Sequence, residues 1–251
     1  MFSIYITVAL MKKYLGLIGF ILLTSCQITE TLTINSDGSG KITQEVVRDE
    51  QSYQLLMGED YSKEEEYQDT TYVFKDVIAK NQETFSRLTK FEKEVFGKFN
   101  PVTVHIKKSS IEKHFKTTFT QEFKVVEEVA DLLKTENYVS DIIHNYALAA
   151  EEHYFSVQYS YEGKVFKRIV KITDPERLKT EQARVEANKK YYASLKLVEN
   201  FVLKYQFPLK IKSVSNPNAK ISSDQKSLQL DFKITDCLYN PDSTNLEVVL
   251  E

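Results

Sequence analysis

Oxygen-bearing side chains and glycines are concentrated in the stretch Asn35–Val46, which reads NSDGSGKITQEV. Four of its residues align with the first ligand positions and the turn glycine of a calcium-binding EF-hand loop: Asn35, Asp37, Ser39 and Gly40. The alignment fails at the twelfth position, where Val46 replaces the bidentate glutamate, and the flanking residues alternate as strands do. The sequence therefore predicts a hairpin, with a weak cation site as the alternative. Its predicted turn comprises Asp37, Gly38, Ser39 and Gly40.

The side chains that most often serve enzymes and metal sites are scattered along the chain. The four histidines lack the i, i+4 spacing of a metal-binding helix: His105, His114, His144 and His153. The sequence contains no GxSxG turn, glycine-rich phosphate loop or CxxC pair. Acidic runs such as Glu64–Glu66 and Glu127–Glu128 are typical of solvated surfaces. We therefore predict no catalytic residue, no metal ligand and no cofactor, and a protein that is not an enzyme.

The two cysteines stand in different surroundings. Cys26 ends the stretch Met11–Cys26, MKKYLGLIGFILLTSC, in which two lysines precede an apolar run and then small residues. This order is that of a bacterial secretion signal, and a cysteine directly after the small residues resembles a lipobox. The pattern predicts cleavage between Ser25 and Cys26 and acylation of Cys26, for example with palmitate. Cys237 then lacks an intrachain partner and is predicted to be buried.

The signal divides the chain into two parts. Residues 1–25 are predicted to be a lipoprotein signal peptide, and residues 26–251 a single α+β domain. Because the signal is complete from Met11 onwards, we expect translation to begin there. The alternative is that residues 1–25 form one uncleaved transmembrane anchor, which their length allows. Lys12 and Lys13 argue against it, since charges are costly at the centre of a bilayer.

Alternating apolar and polar residues predict three hairpins, at residues 27–47, 102–123 and 155–172. Short strands are expected after Pro208, at residues 209–214, 220–221, 228–234 and 246–250. Helical spacing predicts shorter helices at residues 48–58, 76–96, 125–134 and 140–152, the last capped by Ser140. Residues 58–71 are expected to form a polar loop. Asp174 and Pro175 open the longest predicted helix, which runs to about Tyr205.

These elements predict an α+β fold in which an antiparallel sheet built from hairpins packs with one long helix and several shorter helices. Apolar residues make up 42% of the 251-residue chain, which is sufficient for one large domain with its own core. Removing residues 1–25 takes away Lys12 and Lys13 from a chain of net charge −3 and leaves about −5. A net negative charge disfavours a nucleic-acid surface, which needs a concentrated positive field.

The order of these features resembles that of bacterial lipoproteins, and loosely that of LppM-like lipoprotein domains. An extended segment with the Asp37–Gly40 turn follows the cysteine, and a proline-bounded segment of short strands, Phe207–Leu250, ends the chain. The resemblance implies a lipid-anchored cell-envelope protein and a fold, but no activity. No acidic run follows Cys26, which favours the periplasmic face of the outer membrane.

Two hypotheses of function follow from this reading, and an enzyme is a third. The first is a non-enzymatic binding or structural module, held at the membrane through the acyl chains on Cys26 and binding an envelope protein. The second is a carrier or sensor of a lipid or other small apolar ligand, bound in an aromatic-lined groove between the sheet and the long helix. Since the first hairpin follows Cys26 directly, we expect the domain to lie close against the membrane.

Overall fold

The computed structural model describes residues 26–49, 67–109, 114–144, 153–195 and 199–251. Within these ranges the strands are β1 (Cys26–Ile34), β2 (Gly40–Asp49), β3 (Tyr67–Val73), β4 (Thr103–Ser109), β5 (His114–Phe123), β6 (Phe155–Glu162), β7 (Val165–Ile172), β8 (Glu199–Gln206), β9 (Ile211–Val214), β10 (Lys220–Ile221), β11 (Ser227–Lys233) and β12 (Leu246–Leu250). The α-helices are α1 (Phe74–Lys80), α2 (Gln82–Arg87), α3 (Lys90–Gly97), α4 (Thr135–His144), α5 (Pro175–Leu195) and α6 (Ile234–Tyr239). Short 3-10 turns occur at Val126–Glu128, Leu132–Lys134 and Pro241–Thr244.

The strands form two sheets. The large sheet has eight strands in the order β10-β11-β8-β1-β2-β5-β4-β3, and the small sheet has four in the order β6-β7-β12-β9. Strand pairs are antiparallel except for β1 and β8, which run parallel. This confirms the predicted α+β fold with antiparallel sheets, one long helix and several shorter ones, and it adds a second sheet and one parallel pair.

One face of the large sheet is buried beneath two covers. Its alternate residues, such as Leu32, Ile42 and Val104, have no exposed surface. Helices α1 to α4 and their connections cover the half formed by β2 to β5, and the Glu136 carboxylate of α4 accepts a hydrogen bond from Thr117 of β5 at 3.5 Å. The small sheet covers the half formed by β1 and β8, where Phe166 of β7 packs against Tyr205.

The opposite face of the large sheet is polar. Four threonines lie side by side across four adjacent strands, where each is the direct partner of the next: Thr31, Thr43, Thr120 and Thr103. Threonine favours strands because its branched side chain fits the pleated surface. This division into an apolar and a polar face is what the alternation in the sequence predicted, and all three predicted hairpins are confirmed.

The long helix is shorter than predicted. It ends at Leu195, and the residues from Glu199 to Gln206 form strand β8. The prediction was wrong here because a short, nearly continuous apolar segment is compatible with both a buried strand and a buried helix. Phe201, Val202 and Leu203 are buried, and each is the direct partner of a residue of β1, which a helix would not allow. Tertiary pairing thus determined the conformation of this segment.

Several shorter elements also differ from the predictions. The helix predicted at residues 76–96 is broken into α1, α2 and α3, with a new N-cap at Thr89. The helix predicted at residues 125–134 consists of two 3-10 turns, and that predicted at residues 140–152 begins at Thr135, so that Ser140 lies inside α4. Local capping and packing set these boundaries, which apolar spacing defines poorly.

The remaining differences lie near the ends of strands. Residues 48–49 belong to β2 and residues 67–71 to β3, where a helix and a loop were predicted, and residues 50–66 lie outside the described ranges, as do residues 145–152. Residues 234–239 form α6, which was not predicted. Cys237 in α6 is half-buried rather than buried, and burial raises the pKa of its thiol to about 12.

Candidate functional site

The predicted hairpin turn closes on its own side chains. The Asp37 carboxylate accepts hydrogen bonds from the Ser39 amide at 3.0 Å and from the Ser39 hydroxyl at 2.7 Å. These bonds lower the pKa of Asp37. The φ angle of Gly38 is +84°, a conformation that glycine adopts without strain. A Cβ at Gly40 would collide with the carbonyl oxygen of Thr33 and the ring of Phe123.

The arrangement of the turn has a steric explanation. Its two glycines are needed by the backbone, and the Asp37 carboxylate is already used by Ser39. Within the described ranges, no group of three or more His, Cys, Asp and Glu side chains is placed to hold a metal ion. The weak cation site, which was the alternative interpretation of this stretch, therefore has no such group among the described residues.

A second set of polar residues lies buried between the two sheets, and the sequence analysis missed it. We call it the inter-sheet cluster: Glu30, Gln44, Tyr159, Arg168, Tyr205 and Thr244. Glu30 on β1 is 0% exposed, and the side chain of Arg168 on β7 is 2% exposed. Charged side chains are rarely buried to this extent unless they are paired.

Each charged group of the cluster makes hydrogen bonds with residues of the opposite sheet or of neighbouring strands. The Arg168 guanidinium donates to the Glu30 carboxylate at 3.2 Å and to the Thr244 hydroxyl at 2.7 Å. Gln44 donates to the other carboxylate oxygen of Glu30 at 2.7 Å, and the Tyr205 hydroxyl also donates to Glu30. The Arg168 guanidinium lies 5.5 Å from the ring centre of Phe201, within cation–π range.

These contacts change the acidities of the cluster. Burial by itself raises the pKa of Glu30, but the charge of Arg168 and the hydrogen bonds of Tyr205, Arg168 and Tyr159 outweigh it and lower the pKa. Burial and the Glu30 charge raise the pKa values of Tyr159 and Tyr205 well above their ordinary value. At neutral pH the cluster therefore contains a carboxylate, a guanidinium and two neutral phenols.

Strongly perturbed pKa values often indicate an active site, but here the geometry argues otherwise. Glu30 has no exposed surface, and both of its oxygens accept hydrogen bonds from other residues of the protein. The cluster therefore fixes the small sheet on the large sheet. The sequence did contain a signal for it, because Glu30 and Arg168 occupy inward-facing positions in strands that otherwise alternate regularly.

Two carboxylates also protect the edge of the small sheet. Asp131 accepts a hydrogen bond from the Val157 amide at 3.2 Å, and Glu127 accepts one from the Tyr161 amide at 2.8 Å. Both amides belong to β6, an edge strand of the small sheet. Burial raises the pKa of Asp131, although Lys134 lies 3.5 Å away and opposes this change. Such contacts satisfy edge groups that would otherwise be open to another strand.

The large sheet has two ends with different surfaces. The end at which β1 begins is called the Cys26 end, and the end that carries the hairpin turn is called the turn end. At the Cys26 end, six residues form a row of direct strand partners: Glu199, Cys26, Arg48, Phe115, Lys108 and Gln68. Cys26 thus belongs to a central strand and is flanked by Arg48 and Glu199, while Ser25 lies outside the described ranges.

A groove opens at each end. The groove at the Cys26 end has a volume of about 280 Å³, and its lining includes Val46, Arg48, Lys108, Phe115, Thr117 and Glu136. The groove at the turn end is larger, about 1060 Å³, and its charged lining residues include Lys41, Lys98, Glu94, Glu122, Glu127 and Glu128. The Cys26 end thus presents mainly basic charge in its groove, whereas the turn end presents charges of both signs.

The described helices include none that is both long and apolar enough to cross a bilayer.

No protein-family model and no curated protein matches the chain. Among solved structures, the chain is similar to the NMR structure of the folded domain of LppM from Mycobacterium tuberculosis, with a TM-score of 0.38 and 8% identity over 92% of each chain. These values are too low to transfer a fold or a function.

Proposed function

We propose that the protein is a lipid-anchored module of the bacterial cell envelope, attached through acyl chains on Cys26, and that it binds an envelope partner rather than catalysing a reaction. One observation carries the proposal. The cysteine that ends the signal-like sequence already belongs to a central strand of the large sheet. A mature chain beginning at Cys26 would therefore begin with the fold itself.

This placement has a physical consequence for the anchored protein. Two or more acyl chains hold a protein at a bilayer far more firmly than one chain does. Because no linker separates Cys26 from β1, the Cys26 end would lie against the headgroups and the turn end would point away. Strand β1 has nine residues, so the turn would stand about 30 Å above the membrane. Confinement to this layer raises the effective concentration of the domain for other envelope proteins.

The arrangement of the titratable groups supports a binding role. The strongly perturbed groups, Glu30, Arg168 and Tyr205, are sealed between the sheets and cannot contact a substrate. Burial also raises the pKa of Cys237 to about 12, so that its thiol stays protonated at neutral pH. We place the domain at the periplasmic face of the outer membrane, because the residues after Cys26 contain no acidic run.

A carrier of a small apolar ligand is the alternative function. It would require an aromatic-lined groove between the large sheet and the long helix. Helix α5 packs mainly against α6 instead, and Gln182 donates to the Tyr239 carbonyl oxygen at 2.9 Å. The large groove at the turn end is lined mostly by polar and charged residues. These contacts favour the binding module, and the carrier stays a prediction.

Acylation is tested by metabolic labelling of the full chain with a clickable fatty acid in a bacterial host. We expect label on the wild-type protein and none on Cys26→Ala, which should accumulate as the longer precursor. Cys237→Ala is the matched control, since it removes the other cysteine and should label as the wild type does. Equal labelling of Cys26→Ala and the wild type would refute the acyl anchor.

A further inference from the structure

Basic residues are concentrated at the Cys26 end of the large sheet. One row of strand partners contains Arg48 and Lys108, and the adjacent row contains Lys107 and Lys116. The same two rows contain two acidic residues, Glu199 and Asp69, and the short row beyond them contains a third, Asp49. A chain that is negative overall thus has a locally positive end, at the point where the proposed anchor leaves the fold.

Arg48 and Lys108 face the same groove. Both are direct strand partners of Phe115, so their side chains emerge on the same face of the sheet, two strand spacings or about 10 Å apart. Phe115 and Val46 provide apolar surface between and beside them. A guanidinium and an ammonium at this separation can both contact one phosphate, and arginine suits phosphate because its donors form a planar fork.

The position of the groove beside Cys26 indicates that the phosphate is that of a lipid headgroup. Arg48 is the direct strand partner of Cys26, so their Cα atoms are about 5 Å apart. Tyr67 lies in the short row of strand partners beyond Arg48 and Lys108 and is 73% exposed. Tyrosine is enriched where proteins meet the headgroup layer. A groove this close to an acylated cysteine would open directly onto lipid headgroups.

We propose that the Cys26-end groove binds the phosphate headgroup of an anionic lipid in the leaflet that holds the anchor, with Arg48 and Lys108 as the ligands. The inference rests on the proposed acylation of Cys26. Glu136, an acidic residue of the groove lining, opposes the anion and limits its affinity. The acyl chains hold the protein at the bilayer, and the groove sets how it is oriented there.

The absence of tryptophan from the chain makes a clean fluorescence test possible. The acylated full-length protein with Tyr67→Trp reports on the Cys26 end, and Phe91→Trp, whose phenylalanine is 69% exposed on α3, is the control reporter. Each protein is bound to vesicles of phosphatidylcholine alone or with phosphatidylglycerol. We expect a blue shift at position 67 that requires phosphatidylglycerol and weakens at high salt, and no such shift at position 91.

Charge variants then locate the contact. Arg48→Glu and Lys41→Glu change the net charge equally, at opposite ends of β2 and at exposed positions. Arg48→Glu should weaken the response to phosphatidylglycerol on the order of tenfold, Lys41→Glu should leave it within about twofold, and Glu136→Gln should strengthen it. Identical responses of Arg48→Glu and Lys41→Glu would overturn the groove as the binding site.

The vesicle series separates this inference from the anchor. Failure to sediment with pure phosphatidylcholine would overturn the acyl anchor, and with it the lipid assignment. Sedimentation with both vesicles, but with identical emission from position 67, would overturn the groove alone. A full shift on adding inorganic phosphate without vesicles would assign the groove to a free anion and overturn the lipid headgroup.

Discussion

The helices and the small sheet cover the same face of the large sheet, but they fill the space with different side chains. Under the helices, four aromatic rings form a chain of contacts between Phe74, Phe96, Phe99 and Tyr138, with centroid distances from 4.8 to 6.0 Å. Under the small sheet lies the inter-sheet cluster, centred on the ion pair of Glu30 and Arg168.

The helices and the small sheet are held on the large sheet by different interactions. Aromatic packing stabilises through buried area and ring geometry and tolerates small shifts between its members. A buried ion pair contributes little net stability, because desolvation offsets the attraction, but the loss of one partner is severe. The small sheet can therefore dock in few ways, since Arg168 must reach Glu30 and Thr244 together. We infer that the cluster determines alignment and the aromatic rings determine much of the stability.

The largest expected effect is from Arg168→Met. The substitution leaves the Glu30 carboxylate buried and unpaired, which should lower the free energy of unfolding by about 3–5 kcal/mol. Urea unfolding followed by circular dichroism measures it. The double variant Glu30→Leu with Arg168→Met removes both charges and should recover most of the loss. A double variant as unstable as Arg168→Met would show that the pair itself stabilises the fold.

The helix-covered half should respond less strongly to Phe96→Leu. The substitution keeps an apolar side chain but removes the ring that contacts Phe74 and Tyr138, so we expect a loss of about 2 kcal/mol. The same urea titration measures it. Phe91→Leu on the same helix is the control and should change little, because Phe91 is exposed. Equal losses from the two substitutions would contradict the role given to the ring contacts.

A smaller effect is expected at the start of α3. Thr89 caps this helix reciprocally: its hydroxyl accepts from the Glu92 amide at 3.2 Å, and the Glu92 carboxylate accepts from the Thr89 amide. Thr89→Ala should cost about 1 kcal/mol in thermal or urea unfolding. Ser86→Ala nearby in α2 should be close to neutral. A loss from Ser86→Ala as large as that from Thr89→Ala would show that the cap itself is not the cause.

The last prediction concerns pH. The pKa of Glu30 is lower in the folded state, so its stabilising contribution is complete above its unfolded value, near 4.5, and is lost as the pH falls through the folded value. The raised pKa of Asp131 acts in the opposite direction. Its stabilising contribution is complete below its unfolded pKa and is lost as the pH rises through its folded pKa. Unfolding at neutral and acidic pH should show less acid sensitivity in the Glu30→Leu, Arg168→Met double variant than in Phe96→Leu. If the double variant and Phe96→Leu lost stability equally at acidic pH, Glu30 would be ruled out as the source of the acid sensitivity.

Local sequence signals predicted the elements with strong local causes. The turn at Asp37–Gly40 and the start of α5 were both placed correctly, the latter because the Asp174 carboxylate accepts from the Glu176 and Arg177 amides. The β8 segment was predicted to be helical because the spacing of its apolar residues fits both a helix and a strand. The sequence indicated only part of the candidate site. Cys26 stood out by its sequence context, whereas Arg48 and Lys108 look like ordinary surface charges until the strands are paired.

The sequence by itself determined the α+β class, the three hairpins, the first turn of the long helix and the signal-like context of Cys26. These depend on contacts between residues that are close along the chain, such as turn geometry, capping and alternation. Only the tertiary structure decided that β8 is a strand, that Glu30 meets Arg168 across 138 residues, and that Arg48 and Lys108 share a groove beside Cys26. Those arrangements depend on which strands become neighbours, and strand pairing between distant segments is set by the burial of a common core.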